Sequence, residues 1–306
     1  MRALCALVLI GCASGPATRG PEVRPIDEDM LQLLPSGADA VVDVDMEQVR
    51  TWPAARRFFG LLPADTREQL TKMGVNPWLD LDGMVLSLSG LGSGEPTPTL
   101  LLRGDLDSDK MAAALGAQPT EYRRAQIGEA GTRALVRLSP RIVAYGTPAD
   151  VRRVIDLVRG EGQSVRAADR ELVQAFARAP SAKSGRPAVI AALVPTDAMR
   201  DRLRSDELPG ADYQWLTFVL AVGDGFDFEI IGKTKSANEA GGLAAGAKAS
   251  LSQLRARPAV RLLGLQPYLE DVVVVDRDDE VRLVYRLAES RVDRMLGDLE
   301  ALAARR

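Results

Sequence analysis

Trp215–Lys233, with the sequence WLTFVLAVGDGFDFEIIGK, is the stretch that decides the fold. Two runs rich in β-branched and aromatic residues flank a Gly-Asp-Gly sequence at 223–225, which indicates a β-hairpin with a tight turn. The runs Thr217–Val222 and Phe226–Ile231 are more continuously apolar than the other predicted strands, which is typical of strands inside a sheet. An antiparallel sheet is therefore predicted, with this hairpin among its central strands.

The order of predicted elements around the hairpin occurs twice along the chain. Each half is predicted as helix, strand, helix, two strands, helix, two strands and helix, and closes with an apolar-striped helix capped by Thr147 or Ser290. The division falls in the polar, Gly-containing stretch 160–166. The fold class is thus predicted as α+β, with two pseudo-repeated lobes at 26–162 and 163–306 in which helices pack on one face of antiparallel sheets. A chance likeness of two α+β halves is the alternative.

The residue types that are missing exclude several kinds of chemistry. The chain of 306 residues has no histidine, and its two cysteines, Cys5 and Cys12, both lie at the N-terminus. Ser-His-Asp and Cys-His catalysis, and zinc or copper sites built from His or Cys, are therefore excluded. The net charge of −3 gives no electrostatic footprint for nucleic acid. No catalytic residue, metal site or cofactor is predicted, and the protein is expected not to be an enzyme.

The first twelve residues indicate where the protein resides. Arg2 precedes the apolar run Ala3–Ile10, which is too short to span a bilayer and fits a secretory signal peptide. The closing sequence Leu9-Ile10-Gly11-Cys12 resembles the lipobox of bacterial lipoproteins. That resemblance implies removal of residues 1–11 and acylation of Cys12 on its thiol and its amino group. The alternative is an ordinary signal peptide that is cut elsewhere.

The lipidated cysteine would hold the body at a membrane. Stable anchoring takes more than one acyl chain, and a triacylated Cys12 would meet that need. Residues 12–25 combine Gly, Pro and small polar residues, which predicts a flexible tether. Ala13 after the cysteine, by resemblance to Gram-negative lipoproteins, favours the outer membrane. The expected location is therefore the cell envelope, with the membrane as a partner through Cys12.

Four aromatic residues stand out in a helical insertion of the first half, Arg50–Leu81, which has no counterpart in the second half. An aromatic-lined contact surface or the mouth of an apolar groove is the functional interpretation. The alternative is that the aromatic rings attach the insertion to the core. The candidate binding residues are Trp52, Phe58, Phe59 and Trp78.

Several acidic residues lie on or beside the first predicted strands. Asp43 and Asp45 share one strand face, and carboxylates so placed could perform acid–base chemistry or hold a hard cation. Solvated positions on a half-covered sheet are the favoured interpretation for these two and for Asp39, Asp80 and Asp82. A carboxylate-dependent hydrolase stays open as the least favoured function.

Two other motifs suggest ligands that their spacing does not support. The alternating acids of 105–109 suggest a calcium loop but lack its later Gly and Glu, so they are predicted to cap the following helix. The glycines of 241–248 suggest a phosphate loop, but Ala247 separates Gly246 from Lys248. A helix whose small residues allow close packing is predicted there.

The N-terminal end of the first lobe, with Leu33-Leu34-Pro35 followed by 39–45, is similar to that of uncharacterised exported bacterial proteins. This resemblance implies no activity for the present chain. The function expected from sequence is a lipid-anchored envelope protein with a binding or scaffolding role. A groove between the lobes or the aromatic insertion would be the contact site, and an envelope protein the partner. A periplasmic carrier of an apolar ligand is the alternative.

Overall fold

A computed structural model of the chain describes most of the residues that follow the predicted tether. The signal peptide, Cys12, the tether and most of the predicted helix at 64–73 lie outside the described residues, as do the side chains of 58–60 and 298–303. No helix in the described part is both long and apolar enough to span a bilayer. The described ranges are 29–60, 71–92, 95–178, 187–205, 212–223, 225–258, 260 and 266–303.

The described strands form one twelve-stranded antiparallel sheet. Their bounds are β1 Ala40–Asp45, β2 Leu81–Ser89, β3 Thr97–Gly104, β4 Gln118–Tyr122, β5 Ala125–Ala130, β6 Arg133–Ser139, β7 Ile142–Gly146, β8 Pro187–Leu193, β9 Trp215–Val222, β10 Gly225–Lys233, β11 Val273–Arg277 and β12 Glu280–Ala288. The order across the sheet is β11-β12-β10-β9-β8-β1-β2-β3-β7-β6-β5-β4. The hairpin β9–β10 lies inside the sheet, as its apolar sequence predicts.

The two halves of the chain meet where β1 pairs with β8, in a register from Ala40 opposite Leu193 to Val44 opposite Val189. Outward from this seam the order is β1-β2-β3-β7-β6 in one direction and β8-β9-β10-β12-β11 in the other. The first half adds the hairpin β4–β5 at its edge. The α+β class and the antiparallel pairing are confirmed, and both halves belong to one continuous sheet. The lobe boundaries stay a prediction.

Helices connect the strands. Their bounds are α1 Met46–Thr51, α2 Ala55–Gly60, α3 Ser108–Ala114, α4 Pro148–Val158, α5 Val165–Ala168, α6 Arg170–Ala177, α7 Asp197–Ser205, α8 Ala237–Ala256, α9 Gln266–Glu270 and α10 Glu289–Ala303, with a short 3-10 helix at Met30–Gln32.

The two faces of the sheet are covered differently. On one, here called the core face, Val41 and Leu101 pack with residues of α4 and α6 in the largest buried cluster. On the other, here called the pocket face, α1 and α3 pack over Val44 and Leu102, and α8 and α10 cover the outer strands of the second half. Most of the placed helices thus lie on the pocket face, while α4 and α6 lie on the core face.

The structure confirms two of the helix caps that the sequence predicts. The Thr147 hydroxyl accepts a hydrogen bond from the Asp150 amide at 3.2 Å, which caps α4 as predicted. Asp107 accepts from the amides of Asp109 at 3.1 Å and Lys110 at 2.9 Å, so the acidic cluster caps α3, as its spacing predicts. The Ser290 cap is wrong: β12 passes directly into α10, which begins at Glu289.

The glycine-rich stretch forms α8, with Ser236 as its N-cap. A Cβ atom at Gly241, Gly242 or Gly246 would meet no described atom within 4 Å. The close packing predicted for the small residues of this stretch is therefore not made by the glycines, but it is made by Ala244. The helix instead packs through Ala240 and Ala244, which are buried against β11 and β12.

Candidate functional site

A pocket of about 710 Å³ lies on the pocket face, across the seam between β1 and β8. Its floor comes from β1, β2, β3 and β7 of the first half and from β8 and β9 of the second. Its roof is built by α1, α2, the segment 72–78 and α3. The lining residues are Val44, Met46, Val49, Trp52, Ala55, Lys72, Met73, Val75, Pro77, Trp78, Leu81, Met84, Leu100, Leu102, Met111, Ala114, Leu115, Tyr145, Ala188, Val189, Leu220 and Val222.

The lining of the pocket is apolar almost throughout. Among the described residues of the lining, Lys72 is the single charged one, and Tyr145 supplies a phenol. Four of the eight methionines of the chain also line it. Methionine is flexible and polarisable, and such side chains adapt to ligands of variable shape. This arrangement can hold a hydrocarbon chain and offers little to orient a polar substrate.

The pocket leaves large apolar side chains partly accessible. Along β2 and β3, Val85 and Leu101 on the core face are 2% and 0% exposed, whereas Met84 and Leu100 on the pocket face are only half-buried. The neighbouring Leu220 of β9 shows the same difference from Val219. Each Å² of apolar surface that stays in water loses about 25 cal/mol of hydrophobic stabilisation. This alternation therefore favours a ligand-binding role for the pocket face.

Polar contacts hold the roof in place. Asp45 caps α1 by accepting a hydrogen bond from the Gln48 amide at 3.1 Å. Nη1 of Arg50 donates to the carbonyls of Trp78 at 3.1 Å and Leu81 at 2.8 Å, which ties α1 to the start of β2. Arg50 also pairs with Asp82 at 3.5 Å. The roof is therefore attached to the sheet from two sides.

Two of the four aromatic candidates line the pocket. Trp52 is 6% exposed and its ring centroid lies 5.7 Å from that of Phe226. Trp78 is half-buried, with the guanidinium of Arg56 5.9 Å from its ring centroid. The side chains of Phe58 and Phe59 lie outside the described residues. The structure thus brings Trp52 and Trp78 to one pocket.

Sequence reasoning missed the floor of the pocket. Val44, Leu102 and Val189 belong to apolar strands, and alternation alone cannot distinguish a side chain packed in a core from one facing a cavity. The signal that was available is methionine: Met46 and Met84 follow or occupy strands otherwise built from β-branched residues and leucine. Adaptable side chains at such positions indicate a surface that accommodates more than one shape.

The acidic candidates serve as structural partners. The carboxylate of Asp39 accepts from the Leu91 amide at 2.8 Å, and that of Asp80 from the Asn76 amide at 2.6 Å. Asp82 forms ion pairs with Arg50 and Arg141. No group of three or more acidic residues that could hold a metal ion occurs among the described residues. The sequence predicts solvated positions for these acids, whereas the structure gives them backbone and arginine partners, which favours a structural role over a hydrolytic one.

Asp43 is the acid whose environment changes its chemistry. It lies on the core face, opposite the pocket, with Val85 and Ile190 as its neighbours across the sheet. Burial raises its pKa to about 6, the charge of Arg103 opposes this, and Asp45 adds to it. The ionised form of Asp43 is therefore less favoured in the folded protein than in the unfolded chain. Because its side chain lies on the core face, Asp43 contributes nothing to the pocket.

Comparison with known proteins identifies the fold alone. Models of protein families give no match, and neither do curated proteins. Among solved structures, the Treponema protein TP0453 in crystal form III is similar with a TM-score of 0.51 at 9% identity, over 89% of this chain and 97% of that one. Crystal forms I and IV give TM-scores of 0.45 and 0.46, at 9% and 10% identity, over 89% and 90% of this chain and 96% of each of those chains.

Asp43 makes the stability of the protein depend on pH. Its folded pKa of about 6 exceeds the reference value of 3.8, so the folded state binds more protons between these values. The free energy of unfolding therefore decreases as pH rises through this window and stays lower above it. We expect Asp43→Asn to raise the free energy of unfolding at pH 7 by roughly 1–2 kcal/mol. Urea unfolding at pH 4.5 and pH 7 measures the change, and an unaltered pH dependence in the variant would contradict the assignment.

Proposed function

We propose that this protein binds an apolar ligand in the pocket and carries it within the bacterial cell envelope. The observation behind the proposal is the cavity of about 710 Å³ with its apolar, methionine-rich lining. Ligand sites typically have roughly 300–1,000 Å³ and are lined mostly by hydrophobic and aromatic side chains with few polar groups. The described lining meets that description, and the role that we propose is binding and transport rather than catalysis.

The carrier role accounts for the pocket better than a scaffolding role does. A scaffold requires an exposed surface, whereas Trp52 and Val44 of the lining are buried, and the half-buried Met84, Leu100 and Leu220 line a concave cavity. A cavity recovers the hydrophobic free energy of its lining when a hydrocarbon enters it, at about 0.8 kcal/mol per buried CH₂ of the ligand. A flexible hydrocarbon chain is therefore the ligand class that suits the pocket.

The envelope location rests on the N-terminal sequence. The Leu-Ile-Gly-Cys sequence ending at Cys12 supports lipid anchoring, and 12–25 supports a tether that separates the body from the membrane. The outer membrane of a Gram-negative bacterium is the proposed site. An anchored carrier would remain close to the lipids from which an apolar ligand partitions.

Filling the pocket is expected to abolish ligand binding. Val189→Trp places an indole in the floor, because Val189 lies opposite Val44 on the pocket face. We expect the affinity for the neutral fluorophore N-phenyl-1-naphthylamine to fall about tenfold or more, since the loss of two buried CH₂ equivalents costs roughly 1.6 kcal/mol. Fluorescence titration measures the affinity, and thermal unfolding verifies that the variant is folded.

Ile190→Trp is the matched control for that experiment. Ile190 is adjacent on β8 but lies on the core face, so its replacement leaves the cavity unchanged. Leu100→Trp fills the pocket from β3 and serves as a second variant should Val189→Trp unfold. Unchanged fluorophore binding in both pocket variants would refute the assignment of the pocket.

The anchor is tested by the intact mass of membrane-extracted protein. We expect a mass that corresponds to cleavage before Cys12 plus acyl chains. Cys12→Ala is expected to give protein without acyl chains that either leaves the membrane fraction or keeps its signal peptide. A wild-type protein cut elsewhere and found in the soluble fraction would contradict the anchor and leave the pocket assignment intact.

A further inference from the structure

The two edges of the described sheet differ in chemistry. β4, at one edge, has the sequence QPTEY, and Pro119 and Glu121 protect it against pairing with another strand. β11, at the other edge, has the sequence VVVDR, which contains neither proline nor lysine. Its residues Val273 and Val275 are 52% and 41% exposed. β11 is therefore an edge strand without the usual protection against association.

β11 directs backbone groups toward this open edge. Its register with β12 closes at Arg277 opposite Glu280, around a two-residue turn. In such a hairpin the closing pair exchanges both backbone hydrogen bonds, and bonded and non-bonded pairs then alternate along the ladder. The amides and carbonyls of Val274 and Asp276 therefore point away from β12. A further strand at this edge would find bonding groups at both residues.

The exposed valines lie on the core face of the sheet. Val274, between them, is buried beneath α8 on the pocket face, so the side chains of Val273 and Val275 point to the opposite side. Beside them on β12 and β10 lie Arg282 and Glu229, which pair with each other at 3.2 Å. The two valines thus form an apolar strip between a neutralised charge pair and the open edge.

Helix α8 has a side of small residues at the same edge. It packs over β11 and β12, and Nζ of Lys248 lies 3.7 Å from a carboxylate oxygen of Asp276 on β11. The residues that share the Lys248 side of the helix by their spacing are Gly241, Ala245 and Ser252. A Cβ atom at Gly241 would meet no described atom within 4 Å. The side of α8 that borders the edge thus has room for another helix.

A second copy of the chain matches the strand and the helix together. Paired strands lie about 4.8 Å apart, so a twofold axis between two β11 strands would pass about 2.4 Å from each. Because α8 lies over β11 and β12, its axis would be about 5 Å from the twofold axis, and the two α8 helices about 10 Å apart. Packed helices are typically separated by about 8–10 Å. A single added peptide strand would leave the small-residue side of α8 uncovered.

We propose that the protein forms a twofold homodimer by antiparallel pairing of β11 with β11 of a second copy. With the axis at Val274, Val273 of each copy lies opposite Val275 of the other, and the four valines bury one another. Asp276 then lies opposite Val272 and not opposite its own copy, which keeps like charges apart. The same surface serves both copies, so the assembly closes at two.

The dimer does not depend on the proposed function. β12 and β10 separate β11 from the strands that form the floor of the pocket. Loss of dimerisation would therefore leave the pocket and its ligand binding unchanged, and the pocket variant Val189→Trp should leave the dimer intact.

Sedimentation velocity of the full chain carrying Cys12→Ala tests the dimer. The contact is at the small end of specific interfaces, so we expect a dissociation constant of roughly 10–100 μM. Val275→Lys places an ammonium group in the apolar strip of each copy and is expected to weaken the dimer about tenfold or more. Gln118→Lys introduces the same charge at an exposed position of the β4 edge and is the matched control, with unchanged association.

Hydrogen exchange identifies the strand that pairs. The amides of Val274 and Asp276 should exchange more slowly as the protein concentration rises, because they become bonded in the dimer. Ala245→Trp places a bulky side chain on the exposed side of α8 and should weaken the dimer without altering β11. Thermal unfolding verifies that each variant is folded.

Three results would overturn the inference. One is a chain that stays monomeric up to about 500 μM, where the expected affinity gives mostly dimer. Another is a dimer that persists unchanged in Val275→Lys or in Ala245→Trp. The third is a dimer in which the amides of Val274 and Asp276 gain no protection.

Discussion

The pairing of β1 with β8 is the constraint on which the rest of the structure depends. It joins the first strand of each half in antiparallel register, from Ala40 opposite Leu193 to Val44 opposite Val189, and so makes one sheet from two. The floor of the pocket exists only because of this seam: Val44 and Val189 lie side by side on it, with Leu102 on one side and Leu220 on the other. A break at the seam would separate two halves that each carry only part of the cavity.

The two faces of the sheet differ in how tightly their side chains are packed over the seam. The core face is packed with fully buried side chains such as Leu101, Val151 and Ile155, whose removal from water supports the fold. The pocket face over the seam instead leaves Met84 and Leu100 half-buried, under a roof held to the sheet by Arg50. The protein thereby forgoes hydrophobic stabilisation along the concave apolar surface of the pocket. That distribution is the physical reason to regard the cavity as a site.

Much of the fold is predictable from sequence because its signals are local. The hairpin β9–β10 follows from two apolar runs around a glycine turn, and the caps at Thr147 and Asp107 follow from short-range hydrogen-bonding chemistry. What sequence misses is non-local or weak. The β1–β8 pairing joins segments far apart in the chain, and β4, with the sequence QPTEY, is a polar edge strand without an apolar pattern. The aromatic insertion stands out in the sequence, but the apolar strands beneath it have the same pattern as an ordinary core.

The proposed function thus combines a lipid anchor that is predicted from the sequence with an apolar cavity that the structure describes. Native mass spectrometry of the Cys12→Ala chain purified from the producing cells tests the central claim most directly, because no covalent lipid obscures the result. The account predicts a folded protein that retains a non-covalent apolar ligand, released on activation and absent from the Val189→Trp variant. A bare polypeptide mass, under conditions in which the protein remains folded and takes up no added apolar ligand, would contradict it.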